Sequence, residues 1–417
     1  MAYWFHRNPL KATIALTFEL RGVSTSDQTR KIFSDLRQTR NRLLELLTDP
    51  THDRSIIDKA MSDYMSLLQG LIMPMADGEA ENKLRRTIPF KWTNTLLGNT
   101  PVEKFDSIFE CASMAVNVAL WYTKHAAKIA AKDEPDMEEA KEVHKCLRIA
   151  AGIFSYIKTE LIGKLEDNTE KGTDTDSRVL EAYFNQCTAE AQEVTFAQAI
   201  ERKLSSSLTS ALAFETAQMF KRADDSLTSL DVKDVGKWRK YFQLKSDFYM
   251  SCAYSYHGET LLAQDKCGEA IRGLQEGAKL YDKSATLCKE YATTKGPGTS
   301  AKPQDHLFFR KFGPIMKRTL EKCDRENGLI YHQKLPFDPP QLELKATYGL
   351  VSPEDFTTPS LSPLWTSDCY QQMNEKMAPK PEGKKDDKKP SDLPPVKEKE
   401  VPMSDKDPKT FSGCSVS

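Results

Sequence analysis

The chain has 417 residues, of which 39% are hydrophobic and 29% charged, and its 59 basic and 60 acidic side chains leave a net charge of −1. That length holds one large domain or two to three ordinary ones. The balanced charge excludes a nucleic-acid binder held by a general basic field, and no stretch approaches the roughly 20 apolar residues of a transmembrane helix.

The N-terminus, Met1-Ala2-Tyr3-Trp4-Phe5-His6-Arg7-Asn8-Pro9, lacks the apolar run of a signal peptide. Nine scattered cysteines form no CxxC pair and sit mostly among apolar residues. Both features predict a cytoplasmic protein with reduced core thiols.

Ile14–Leu20 alternates apolar and other side chains with period two, the pattern of a strand. Helical periodicity follows. Ser26-Asp27 reads as a helix start, with Ile32, Leu36, Leu43, Leu46 and Leu47 along one side. Further helices are expected near 54–73, 102–131, 137–165, 177–204, 206–230, 236–263, 266–292 and 305–326, with breaks at Gly98, Pro135, Gly172 and Gly296-Pro297-Gly298. Helices this long must pack antiparallel in a bundle or solenoid. The expected fold is therefore mainly all-α, a helical solenoid with a small β element near the N-terminus. Tyr254, Tyr256, Gly258, Leu261 and Leu262, followed by Ala270, Ile271, Leu274, Ala278 and Leu280, resemble a tetratricopeptide-type hairpin, although its 34-residue period is not clearly repeated.

From Leu335 the texture changes. Pro336, Pro339, Pro340, Pro353, Pro359 and Pro363 forbid long helices, yet Leu342, Leu344, Tyr348, Leu350, Phe356, Leu364 and Trp365 are too apolar for disorder. An extended arm over about 335–370, laid back on the helices, reconciles the two. Over 371–413 apolar residues thin out, and the composition predicts a disordered Lys/Asp/Glu/Pro-rich linker that cannot offset its ordering entropy. Some forty such residues reach about 35 Å.

The chain ends Cys414-Ser415-Val416-Ser417, a CaaX pattern for prenylation. The final Ser favours farnesyl over geranylgeranyl, while Ser415 departs from the aliphatic preference at its position. A covalent farnesyl group on Cys414 is thus expected, and no other cofactor. One lipid chain gives only reversible membrane residence. Residues 374–413 carry ten Lys against nine acids, a polyampholyte rather than a basic anchor. The second attachment should then be a membrane-associated protein held by the helical body.

No catalytic residue or metal site is identified. There is no P-loop, GxSxG or HExxH. His257-Gly258-Glu259 has no following PCxxC, His144-Lys145-Cys146 no following phosphatase arginine, and the seven histidines lack metal-ligand spacing. The chain reads as a non-enzyme with no small-molecule substrate. Two competing readings stay open: a hydrolase using Cys146 or His257, and a soluble tetratricopeptide-like peptide-binding scaffold.

Phe90-Lys91-Trp92, Asn117-Val118-Ala119-Leu120-Trp121-Tyr122, Ala150-Ala151-Gly152-Ile153-Phe154, Glu190-Ala191-Gln192-Glu193-Val194 and Glu326-Asn327-Gly328-Leu329-Ile330-Tyr331 occur in this order. Together they resemble the Bro-domain family over about residues 1–370, and the terminal CaaX box resembles its short, prenylated branch. The resemblance implies a boomerang-shaped solenoid that acts as an adaptor. Its implied partners are the C-terminal amphipathic helices of ESCRT-III charged multivesicular body proteins, bound in a concave apolar patch. It implies peripheral residence on endosomal membranes, with the nuclear envelope as another ESCRT-III setting.

Residue by residue, Leu208 and Leu212 match two aliphatic patch positions, and their i, i+4 spacing puts them on one helix face. On sequence alone such a pair reads as core. Thr195 stands where the family has an aromatic patch residue, and Phe196 beside it is rotated about 100° around the helix. Lys141 and Lys145 match basic residues near the patch, whereas Met137 and Ala140 offer no acid there. Tyr348, in Tyr348-Gly349-Leu350, is a candidate for the groove's border.

Overall fold

The computed structural model describes residues 5–18, 26–74, 81–132, 136–165, 170–299, 307–342, 346, 348–374 and 391–399. Its helices begin where short polar side chains satisfy the free N–H groups of a first turn. Ser26 accepts from the Thr29 N–H to start α1 (Asp27–Leu47), and α2 spans Arg54–Leu68. Asp106 caps α3 (Ser107–Ala130), and a reciprocal Asp136–Glu139 box opens α4 (Met137–Tyr156). Asp176 caps α5 (Ser177–Glu201), Ser205 caps α6 (Ser206–Ser226) and Asp231 caps α7 (Val232–Leu262). Then come α8 (Cys267–Thr293), α9 (Leu307–Glu326) and the short α10 (Ser367–Asn374).

From α3 to α9 the heaviest packing of every helix is against a neighbour in sequence, which makes the body a solenoid. The α7–α8 pair is the hairpin expected from Tyr254 to Leu280; Ala270, Ile271 and Leu274 are buried within it.

The β element is smaller and elsewhere than the alternation suggested. Strands β1 (Phe90–Trp92) and β2 (Val102–Lys104) pair antiparallel, with Phe90 opposite Lys104 and Trp92 opposite Val102. The described part of the expected strand, Ile14–Phe18, forms no ladder; only Thr13 bridges to Trp92. Leu16 and Phe18 are buried all the same, so side-chain burial, not strand pairing, accounts for the alternation. The helix expected from 102 starts at Ser107, because 102–104 are spent on β2.

The N-terminal segment 5–13 threads through the body on buried charge. Arg7 forks onto Glu190 of α5 at 2.9 and 2.7 Å, and Glu190 also accepts from Gln186 and Tyr241. Lys11 lies 3.4 Å from Asp174, with both side chains almost wholly enclosed. Arg40 of α1 pairs with Glu110 of α3, which accepts from Tyr64 and Trp92 as well.

The proline-rich stretch returns across the helices as an extended arm. Arg148 donates to Ser352 O, the Tyr156 and Phe356 rings meet edge to face, and Trp365 Nε1 donates to Leu67 O. Two parts of 371–413 depart from the disorder expected there: 371–374 complete α10, and residues 391–399 lie extended against the body, with Leu393 N–H donating to Asn99 O and Lys399 N–H to Thr48 O. Composition sees only the segment's own poverty in apolar side chains. It does not see backbone and charge partners that the body supplies.

Candidate functional site

The surface to be tested lies where α4, α5, α6 and the arm meet. Ser205 sets the start of α6 by accepting from the Leu208 N–H, and Leu212 follows one turn later. The helix brings the two leucines together, but not as an open face. Leu208 is 9% exposed and Leu212 only 1%. What covers Leu212 is the arm: a Cβ placed on Gly349 would lie 3.3 Å from a Leu212 methyl and 3.5 Å from the Thr195 methyl. Gly349 also has φ +83°, a conformation that side-chain-bearing residues rarely adopt. The expectation of two exposed leucines is therefore corrected. Leu212 is floor and Leu208 its rim.

The arm brings apolar groups to solvent, with Tyr348 58% and Leu350 49% exposed, and Met137 of α4 adds a third at 46%. They are held by a clip the sequence did not announce. Gln192 of α5 donates to Gly349 O at 2.8 Å and accepts from the Val351 N–H at 2.8 Å. A fully buried side-chain amide thus stands in for a strand partner. Farther along, the arm passes so close to α4 that a Cβ on Gly152 would lie 1.9 Å from Glu354 O. Only glycine admits that crossing. Gln192 and Gly152 sit inside two of the motifs quoted above, so their positions were visible although their task was not.

Beside the apolar ridge, α4 and α5 enclose a shallow cleft of about 420 Å³ whose lining includes Lys141, Lys145, Arg148, Thr195, Arg202 and Glu354. Lys141 and Lys145 are exposed and share the α4 face, as their spacing predicts. Lys141 pairs within its own helix with Glu138 at 2.7 Å, and Arg148 with Glu354 at 3.0 Å. His144, also in the lining, has its pKa lowered by burial and then by the Arg148 charge, so it is neutral at physiological pH. The cleft therefore presents four cations against one carboxylate. Phe196 points elsewhere: it is 1% exposed and stacks edge-on against Tyr249 and Tyr256, as its rotation from Thr195 requires.

The residues weighed for catalysis do not converge. Cys146 is buried, its thiol donates to Glu142 at 3.3 Å, and burial pushes its pKa well above the ordinary thiol value, which disfavours the nucleophilic thiolate. Among the described residues, donor atoms of His125, Glu142 and Cys146 come within 4.8 Å of one another. The Arg54 guanidinium already binds that glutamate at 2.9 Å. His257 is held neutral by burial, while Glu259 accepts from Ser206 at 2.9 Å. Cys414 lies outside the described residues. Among those residues no helix is long and apolar enough to cross a membrane.

A family model described as BRO1-like domain matches residues 5–379. The chain is 55% identical over 366 residues to the human BRO1 domain-containing protein BROX, across 88% of this chain and 89% of that one. To the Xenopus tropicalis protein of the same name it is 53% identical over 370 residues, across 89% and 90%. A solved complex of the ALIX BRO1 domain with CHMP4C has the same fold, with a TM-score of 0.60 at 17% identity and coverage of 87% of this chain and 97% of that one.

Proposed function

Because the chain belongs to the BRO1-like domain family, we propose that it is a non-enzymatic adaptor for ESCRT-III charged multivesicular body proteins, attached to endosomal membrane through a farnesyl group on Cys414. The partner segment is a C-terminal amphipathic helix. It lies on the ridge of Tyr348 and Leu350, reaches the Leu208 rim and turns acidic side chains toward Lys141 and Lys145.

One observation carries this reading: an exposed apolar ridge stands directly beside a cationic cleft. A helix with an apolar stripe and acidic flanks matches both halves, by burial on one side and charge on the other. That an ALIX BRO1 domain of the same fold forms a complex with CHMP4C points to the same class of partner. The lipid reading rests on the CaaX pattern alone. Two weak attachments to one membrane surface raise local concentration, so their joint affinity exceeds either alone.

The test is calorimetry of the full chain against a panel of ESCRT-III C-terminal peptides. Tyr348→Ala with Leu350→Ala should weaken the best peptide by on the order of tenfold or more, with an unchanged melting temperature. Equal affinity of variant and wild type would remove the ridge from the site. For the lipid, intact-mass analysis of protein from eukaryotic cells should find a farnesyl adduct that Cys414→Ser lacks; an unmodified wild-type mass refutes it.

A further inference from the structure

A buried cation and a buried backbone N–H meet at a place where, among the described residues, the acid paired with the cation comes from the tail and not from the helical body. With residues 391–399 in place, Lys124 of α3 is 7% exposed, and Leu10, in the threaded N-terminal segment, is 5% exposed. An ammonium so enclosed is costly unless paired, and an amide so enclosed needs an acceptor. Both find the same group. One carboxylate oxygen of Glu398 accepts from the Leu10 N–H at 2.8 Å, and the other receives the Lys124 ammonium. Burial works against the lysine charge, the Arg7 charge adds to that, and Glu398 works for it.

The rest of the segment fits as specifically. The Lys399 N–H donates to Thr48 O at 2.9 Å and its ammonium pairs with Asp49 at 2.9 Å. Val396 packs against the apolar core, and Leu393 N–H donates to Asn99 O at 3.0 Å. Asp392 accepts from Thr100 at 2.7 Å. The receiving turn is also tied to α3 independently of the segment: Trp121 Nε1 donates to Asp49 O and His125 Nδ1 bonds Pro50 O. On the other side Pro394-Pro395 restricts the segment to extended conformations, which lowers the entropy lost on docking.

We infer that Leu10, Lys124, the Thr48–Asp49 turn and the Asn99–Thr100 loop form a second peptide-binding site, one that reads a glutamate within an extended segment and is filled in cis by residues 391–399. Among the described residues, none of its hydrogen bonds or ion pairs involves α5, α6 or Tyr348–Val351, so it is separate from the ridge and cleft. The site converts part of a long tail into a strap. Measured from Lys399, Cys414 is fifteen residues away, at most about 50 Å of fully extended chain. That last consequence rests on the lipid reading above; the docking does not.

The experiment is hydrogen–deuterium exchange on the unprenylated full chain, wild type against Glu398→Lys. The wild type should slow exchange at Leu393, Lys399 and Leu10 by on the order of tenfold or more over a free amide. Glu398→Lys should release all three while leaving the melting temperature of the helical body unchanged. Excess synthetic peptide of sequence 391–399 added to the variant should restore protection at Leu10. Free exchange at Leu393 and Lys399 in the wild type overturns the strap. Protection that survives Glu398→Lys, or a peptide that fails to restore it, overturns the glutamate-reading site. Because the chain carries no lipid in this test, its failure would leave the Cys414 reading untouched.

Discussion

Two extended segments cross the same helices and are held by opposite means. Residues 5–13 are sunk into the body by ionised groups, Arg7 on Glu190 and Lys11 against Asp174, each almost fully enclosed. The arm at 348–358 stays at the surface, clipped by Gln192 and by the Gly152 crossing, and leaves Tyr348 and Leu350 in solvent. The difference teaches what each segment is for. A buried ion pair tolerates no rearrangement, because separating its members strands a charge in low dielectric. A neutral amide clip positions a surface at small cost and leaves apolar groups in solvent, where the proposed partner helix would meet them.

Substitutions at the two segments should separate those roles. Glu190→Leu leaves the Arg7 guanidinium buried and unpaired, and should cost about 3–5 kcal/mol of global stability by urea melting. A loss under 1 kcal/mol would mean that Arg7 finds water and that the segment is not locked. Gly152→Ala forces the arm off α4 and should cost up to about 3 kcal/mol, felt locally: exchange at the Glu354 amide, which donates to Arg148 O at 3.1 Å, should quicken while the Leu10 amide stays protected. Equal loosening of both would make the two segments one cooperative unit.

Acid should act on the sunken segment first. Burial, with the Lys237 and Arg7 charges behind it, holds the His6 pKa down from 6.5 to about 3. The unfolded chain therefore binds a proton there that the folded one refuses. Stability is complete above about pH 6.5, falls as pH drops toward 3, and is lower by about 2 kcal/mol at pH 5. His6→Gln should flatten that slope, whatever it does to stability at neutral pH; an unchanged slope assigns the acid sensitivity to other groups. The smallest structural effect is expected at Lys141→Glu. Its partner Glu138 is exposed, so melting should not move, while affinity for an acidic-flanked helix peptide should fall severalfold. Unchanged affinity would take the cleft out of the interface.

Much of this was legible along the chain. Ser26 announced a helix start through the hydrogen-bonding chemistry of caps, and the prolines after Leu335 announced an arm, whereas the Asp136 and Ser205 caps became visible only in the structure. Leu208 and Leu212 were legible as a shared helix face, and Lys141 and Lys145 as another. Their exposure was not. Leu212 is covered by Gly349, a residue 137 positions away, and no local pattern encodes that meeting. The Gln192 clip, Glu190 as hub of the N-terminal segment and the Glu398–Lys124 contact were hidden for the same reason.

By itself, then, the sequence determined what acts through near neighbours: helical periodicity, caps, breaks, the poverty of the tail in apolar groups, and the CaaX pattern. It also carried enough family motif to anticipate the solenoid. Tertiary structure alone decided which leucine is floor and which rim, where the β pairing falls, and that 391–399 lies on the body. Each of those depends on a partner far away in the chain. Burial and ion pairing are set by distance in space, which a linear pattern does not record.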